Sequence, residues 1–349
     1  MGRETGGGRS VVAALIPVML SLLGPLCRQA GRLAWLAPAA ALPAGLGLCW
    51  VWKRFGGKNL PQMLEGSFGK WGGKLGELVY LLWGLFLLSV SARRYAGRLL
   101  TAASGENARW LYLAAALGFA LWLGREDGRV FLRTGRLFFG AVAAALLLAV
   151  VLTLPALDWR NLFPPAGSDW TGLPRAALTV LALAGYGVYG LCLPDGERGS
   201  RWSWAILGCG GFTLLLAATL GTFGPALAGR MEEPFLLLLE GAAAPGVFWR
   251  GEAALAAVLL LADIVLLALL TRGCGALWRG LIPKWRGRGL WLLTAAAFWW
   301  AGVRPAEPVG EGVLLWGGLL LGGVVPAFAV LTERGSKTEK GGATSCVKK

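Results

Sequence analysis

The sequence predicts an all-α polytopic membrane protein with about ten transmembrane helices, arranged as a five-plus-five inverted repeat. Of its 349 residues, 56% are hydrophobic and 15% are charged, which is more apolar surface than a soluble domain of this size could bury. Apolar runs of about 20 residues recur along the chain, and this is the length that crosses a hydrocarbon core roughly 30 Å thick. Each half of the chain opens with an apolar run that is interrupted by proline or glycine.

Ten apolar runs follow one another without a separate soluble domain between them. Residues 1–331 therefore form a single membrane domain, and the polar residues 332–349 are expected to form a disordered cytoplasmic tail. The fourth and ninth runs are short. The predicted spans lie near 11–27, 33–52, 75–92, 110–124, 134–157, 174–193, 203–229, 252–270, 289–303 and 311–331.

The two halves, residues 11–173 and 174–331, are 163 and 158 residues long and contain five spans each. Because five is odd, the second half should be inverted relative to the first, and such repeats place a binding site near the bilayer midplane. The loops at 60–69 and 233–241 occupy corresponding places in the halves. We expect them to lie along the two membrane faces, although they could also be unrelated loop helices.

The basic residues indicate the orientation of the chain. The net charge is +15, and 23 of the 34 Lys and Arg residues fall on the side of a ten-span path that holds both termini. This asymmetry predicts a multi-pass cell-membrane protein whose two termini are cytoplasmic. We therefore expect the basic residues to contact the lipid headgroups of the bilayer, and we expect no nucleic-acid partner. One group departs from the pattern, because Arg93, Arg94, Arg98 and Arg109 fall on the outer side.

The interrupted runs, Val11–Cys27 and Pro174–Leu193, are the first candidates for a ligand site. Unwound backbone inside a membrane persists only where protein, water or a ligand satisfies it. Ends of half-helices could bind a carboxylate and free carbonyls an ammonium group, so a zwitterionic amino acid would fit. The glycines could equally serve close helix packing. The candidate ligand-binding residues in these two runs are Ser21, Gly24, Gly185, Tyr186, Gly187 and Tyr189.

Asp263 completes the predicted ligand-binding set, because it is a carboxylate well inside an apolar run. A charged residue at that depth costs about 2.5–3.5 kcal/mol on insertion scales and is usually functional. It could bind a cation or a ligand amine, or carry a proton. It could also be a structural carboxyl group that is hydrogen-bonded to neighbouring helices.

No catalytic constellation stands out in the sequence. There is no phosphate-binding glycine loop, the chain has no histidine, and its cysteines lack metal-site spacing. We therefore expect no enzymatic activity, no cofactor and no metal site.

The first loop carries a family resemblance. Cys27-Arg-Gln-Ala-Gly-Arg-Leu-Ala-Trp35 resembles the Arg-x-Ala-Gly-Arg-Asp-Ala-Trp pattern of the spore-germination permease family, with Leu33 in place of the acidic residue. These permeases are the integral B subunits of germinant receptors, within the amino acid–polyamine–organocation superfamily. Further matching stretches are Arg54-Phe-Gly-Gly-Lys-Asn-Leu60, Phe68-Gly-Lys-Trp-Gly-Gly-Lys-Leu and Asn161-Leu-Phe-Pro164.

The resemblance implies a LeuT-like amino-acid permease fold that binds a small germinant, such as an amino acid, between the first, third, sixth and eighth spans. It also implies assembly with germinant receptor A and C subunits in the spore inner membrane. A receptor subunit would signal to these partners, whereas an autonomous amino-acid permease or symporter would move its ligand unaided. A scaffold that binds no ligand is the third reading.

Overall fold

The computed structural model describes residues 6–54, 58–103, 109–125, 128–192, 201–231, 233–235, 237–238, 251–282, 288–303 and 310–332. The regular structure within these ranges is entirely helical. The predicted tail lies outside them from residue 333 onward.

The first half contains six helices. The break between α1 and α2 falls inside the first predicted span, and a 3-10 turn at Gly31–Leu36 leads into α3. The bounds are α1 Gly6–Ser21, α2 Leu23–Ala30, α3 Ala37–Lys53, α4 Leu60–Ala103, α5 Arg109–Arg125 and α6 Gly128–Thr153.

The second half has six helices whose bounds lie within the described residues. A 3-10 segment, Val188–Cys192, extends α8, and a π-helical turn, Leu320–Val324, extends α12 toward Thr332. The bounds are α7 Gly167–Leu181, α8 Ala184–Gly187, α9 Arg201–Ala228, α10 Gly251–Leu281, α11 Arg288–Val303 and α12 Glu311–Leu319.

Seven helical segments are long and apolar enough to cross a membrane, and three shorter apolar helices accompany them within the described residues. Large apolar side chains cover the outside of the bundle, for example Trp71, which is 90% exposed, Leu137 and Trp299. An exposed apolar surface of this extent is unfavourable in water and favourable in lipid. The prediction of an all-helical, multi-pass membrane protein is confirmed at this level.

The two predicted helix interruptions differ from fully unwound chain. At the first, Pro25 has no N–H for the carbonyl of Ser21 one turn earlier, and the helix is interrupted at Leu22. At the second, the backbone tightens, because Gly185 and Tyr186 donate to the carbonyls three residues before them at 3.0 Å. The backbone of both segments therefore stays close to helical.

Prolines elsewhere leave carbonyls that distant groups satisfy. Pro225 cannot donate to Gly221, and the amide of Asn161 donates to that carbonyl at 2.9 Å instead. In the last helix, Pro326 follows the π-helical turn, and the hydroxyl of Tyr80 donates to the carbonyl oxygen of Leu321 at 2.6 Å. Such substitutions are what permits proline inside membrane helices.

Helices α4 and α10 pack along one another through the centre of the molecule. Tyr189 fills the space between them, since a Cβ atom on Gly84 or Gly273 would lie within 2.8 Å of its ring or hydroxyl. Around this centre, α5 packs on α10 and α11 packs on α4, while α3 packs on both α7 and α9 and α2 packs on α9. Helix α1 packs on both α6 and the central α10, and α12 packs on α7 and α8.

Candidate functional site

A buried charged cluster joins α1, α4, α10 and the segment after α9. Its centre is the guanidinium group of Arg98, whose side chain is 6% exposed. One edge of the guanidinium meets Asp263, which is 2% exposed, and another meets Glu233, which is 29% exposed. We call Arg98, Asp263, Glu233 and Ser21 the Arg98 cluster.

Each nitrogen of the Arg98 guanidinium has an acceptor. Nη1 donates to both carboxylate oxygens of Asp263, at 2.9 and 2.7 Å, and Nε donates to both oxygens of Glu233, at 2.8 and 2.9 Å. Nη2 donates to the Ser21 hydroxyl at 3.1 Å and to the carbonyl of Pro17 at 3.3 Å. Hydrogen bonds between ionised partners are roughly twice as strong as those between neutral groups.

The interruption in α1 takes part in this cluster. The hydroxyl of Ser21 donates to the carbonyl of Pro17 one turn earlier, at 2.8 Å, while it accepts from Arg98. Back-bonding of this type competes with the helical ladder and bends helices. The Arg98 cluster therefore holds the bent end of α1 against α4 and α10.

Arg98 was not predicted to be a site residue. The third span was predicted to end at residue 92, whereas α4 continues to Ala103, so the last turns of α4 place Arg98 inside the bundle. The sequence did carry one signal for it, because Arg98 is among the arginines that fall on the outer side, against the charge asymmetry. A buried arginine requires a buried acid, and Asp263 was the buried acid already recognised.

Two of the predicted ligand-binding residues, Ser21 and Asp263, meet at the Arg98 guanidinium. Tyr186 belongs to the same neighbourhood, because Arg94 of α4 interacts electrostatically with both Tyr186 and Asp263. The hydroxyl of Tyr186 is buried, and no acceptor among the described residues satisfies it. These three residues could face a common ligand.

The remaining predicted residues make packing contacts. A Cβ on Gly185 would lie 2.6 Å from the Cα of Gly318, and one on Gly24 would lie 2.7 Å from the carbonyl oxygen of Met231. Gly187 faces the ring of Trp52, whose nearest atom would lie 3.2 Å from such a Cβ. Close helix packing thus accounts for these glycines, and their role in ligand binding stays a prediction.

Tyr189 has a structural contact as well. Its ring is fully buried, and its hydroxyl donates to the carbonyl of Tyr80 at 2.6 Å. This bond links the 3-10 segment to the middle of α4.

A second charged cluster lies nearer the start of α4. The ammonium group of Lys74 lies 2.8 Å from a carboxylate oxygen of Glu65 and 3.4 Å from Glu77, whose side chain is fully buried. Lys74 also donates to the carbonyl of Gly280 at 2.8 Å, which ties α4 to the end of α10. We interpret this cluster as a structural tie between the two central helices.

Two of the stretches that carry the family resemblance, 27–35 and 161–164, meet each other in the fold. Arg32 donates to the carbonyl of Pro164 at 2.6 Å, and the ring of Trp35 lies edge-on to that of Phe163, with centroids 6.1 Å apart. Leu33, which departs from the family pattern, is buried, and this explains why an apolar residue is tolerated there.

The described residues include no group of three or more His, Cys, Asp or Glu side chains that could hold a metal ion. No protein-family profile matches the sequence, and no curated protein matches it.

Proposed function

We propose that this protein is the integral membrane subunit of a spore germinant receptor, which binds a small solute such as an amino acid and signals to A and C partner subunits. Its place would be the spore inner membrane, with both termini cytoplasmic. The observation that carries the proposal is the Arg98 cluster, a set of charged groups inside an apolar bundle at the interruption of α1. Ionisable groups at such a depth are costly and usually functional.

The pattern of helix packing supports a five-plus-five repeat. In such a repeat, α1/α2, α3, α4, α5 and α6 correspond in order to α7/α8, α9, α10, α11 and α12. Exchanging the two halves then turns the packing of α5 on α10 into the packing of α11 on α4. The same exchange relates α3 on α7 to α9 on α2, and α1 on α6 to α7/α8 on α12. The pairs α3 with α9 and α4 with α10 map onto themselves. A binding site near the midplane is typical of such repeats.

The state of Asp263 favours the receptor over a cation-coupled symporter. Asp263 is the carboxylate that would attract a coupling cation inside the bundle, but both of its oxygens already accept from Arg98. The chain therefore supplies its own cation at this position. A ligand that shifts the cluster would move α1 relative to α4 and α10, and such a two-state shift is what a receptor transmits.

The test is binding and uptake of labelled amino acids by the purified protein in liposomes, with and without a proton or sodium gradient. We expect saturable binding without gradient-driven accumulation. Accumulation would instead make the protein an autonomous permease, and absence of saturable binding for every amino acid would contradict the proposal.

A matched pair of variants links any binding to the site. Ser21→Ala removes the hydroxyl that joins α1 to Arg98, and we expect weaker binding. Thr222→Ala removes a hydroxyl that bonds one turn back in α9, to Ala218 at 2.9 Å, and binding should stay as in the wild type.

A further inference from the structure

Three tyrosines lie buried where α4, α8 and the 3-10 segment meet, and their hydroxyl groups differ. Those of Tyr80 and Tyr189 each donate to a backbone carbonyl at 2.6 Å. That of Tyr186, a residue only 5% exposed, lies close enough to Ser91 for a weak interaction but makes no hydrogen bond of ordinary geometry among the described residues. Burying a hydroxyl without an acceptor costs folding free energy, so this donor is available to a group that binds there.

The surroundings of Tyr186 indicate the charge of that group. Ser91 and Arg94 of α4 are its polar neighbours. Arg94 is half-buried and forms no ion pair within the described part of the chain. Among the described residues, the two carboxylates of the Arg98 cluster, Asp263 and Glu233, both pair with Arg98. The guanidinium group of Arg94 therefore has no bonded anion within the described part of the chain.

Backbone donors at this position are already used. The N–H groups of Gly185, Tyr186 and Gly187 donate to the carbonyls of Ala182 and Leu183 at 3.0 to 3.1 Å. A ligand anion at α8 must therefore be held by side chains rather than by the free end of a half-helix.

We propose that Tyr186 and Arg94, with Ser91 beside them, form the subsite for the carboxylate of the ligand. This inference rests on the proposed function and deepens it, since it names the chemical class of the solute. One carboxylate oxygen accepts from the Tyr186 hydroxyl and the other from the Arg94 guanidinium, in a charge-assisted arrangement. The ligand is an acid such as an amino acid, and amines that lack a carboxylate are excluded.

The test compares L-amino acids with their amides as ligands for the purified protein in liposomes. The amide keeps the size and the ammonium group but loses the anion, and we expect binding at least roughly tenfold weaker. Tyr186→Phe removes only the hydroxyl oxygen. We expect it to weaken binding of the acid by roughly tenfold and to leave binding of the amide unchanged.

Thermal unfolding provides an independent readout and a control. Tyr186→Phe should unfold no earlier than the wild type, because it deletes an unsatisfied donor. Tyr80→Phe loses the bond to Leu321 and should unfold earlier, while its preference for acid over amide stays the same.

The outcomes separate the two proposals. If amides bind the wild type as tightly as acids, or Tyr186→Phe binds the acid normally, the carboxylate subsite is wrong and the proposed function stands. If neither acids nor amides bind the wild type saturably, the proposed function is wrong and the subsite with it.

Discussion

Arg98 illustrates how one buried charge constrains its neighbours. Its guanidinium balances Asp263 and Glu233 and also donates to the end of α1. Removing one member of a buried ion pair costs more than removing both, because the remaining charge is left in a medium that solvates it poorly.

The Arg98–Asp263 pair gives the first prediction. Arg98→Ala should lower the free energy of unfolding by about 3–5 kcal/mol, and Arg98→Ala combined with Asp263→Ala should lower it by less. Thermal and denaturant unfolding in detergent would measure both. If the losses of the two single variants simply added up in the double variant, the ion pair would have no energetic coupling.

At the scale of helices, the break before α8 depends on how closely two segments approach. Gly185 of α8 faces Gly318 of α12, and a Cβ on Gly322 would meet the backbone at Ala184 and Gly185. Small residues permit such contacts between membrane helices, where packing rather than hydrophobic burial drives association. Gly185, from the predicted ligand-binding set, therefore allows α8 to pack closely against Gly318 and Gly322 of the last span.

Gly318→Ala tests this contact. The added Cβ would collide with the carbonyl oxygen of Ala182, and we expect a loss of about 1–3 kcal/mol of stability from overpacking. Gly210→Ala in α9 is the control, because a Cβ there meets nothing within 4 Å. Equal melting temperatures for the two variants would contradict the close packing.

For the whole molecule, the ten predicted spans would put both termini on one side of the membrane, and the excess of Lys and Arg predicts that this side is the cytoplasm. A fluorescent-protein fusion at the C-terminus should therefore fluoresce in a bacterial host, and an alkaline phosphatase fusion there should be inactive. A fusion truncated at Pro165, after five spans, should behave in the opposite way. The same reporter result at both positions would contradict the predicted topology.

Much of the fold was predictable because apolar runs of membrane length are a local signal. The helices coincide closely with the predicted spans, apart from two. The start and end of α4 both lie beyond the third predicted span, and α10 continues past the eighth to Leu281. Polar residues near both ends of α4 interrupt its apolar run, so the hydrophobic pattern did not indicate where the helix begins and ends. The segment predicted at 60–69 is a short helical piece that begins at Leu60, and a kink at Gly69, where φ is 73°, separates it from the rest of α4.

The candidate site was only partly predictable. Asp263 and Ser21 were recognised because each interrupts an apolar run, and the fold brings them to the same guanidinium. Glu233 was recognised only as part of a loop, and Arg98 as a misplaced positive charge. A glutamate or an arginine does not reveal its partner in the sequence, because its charge is the same at a membrane surface and inside a helix bundle.

The sequence by itself determined that this chain is a multi-pass helical membrane protein, because hydrophobicity and helix length are properties of consecutive residues. Only the tertiary structure decided that Arg98 pairs with Asp263, 165 residues away, and that Tyr186 is left without an acceptor. The physical reason is that hydrogen bonds and ion pairs act over about 3 Å. Their partners are therefore set by which helices become neighbours.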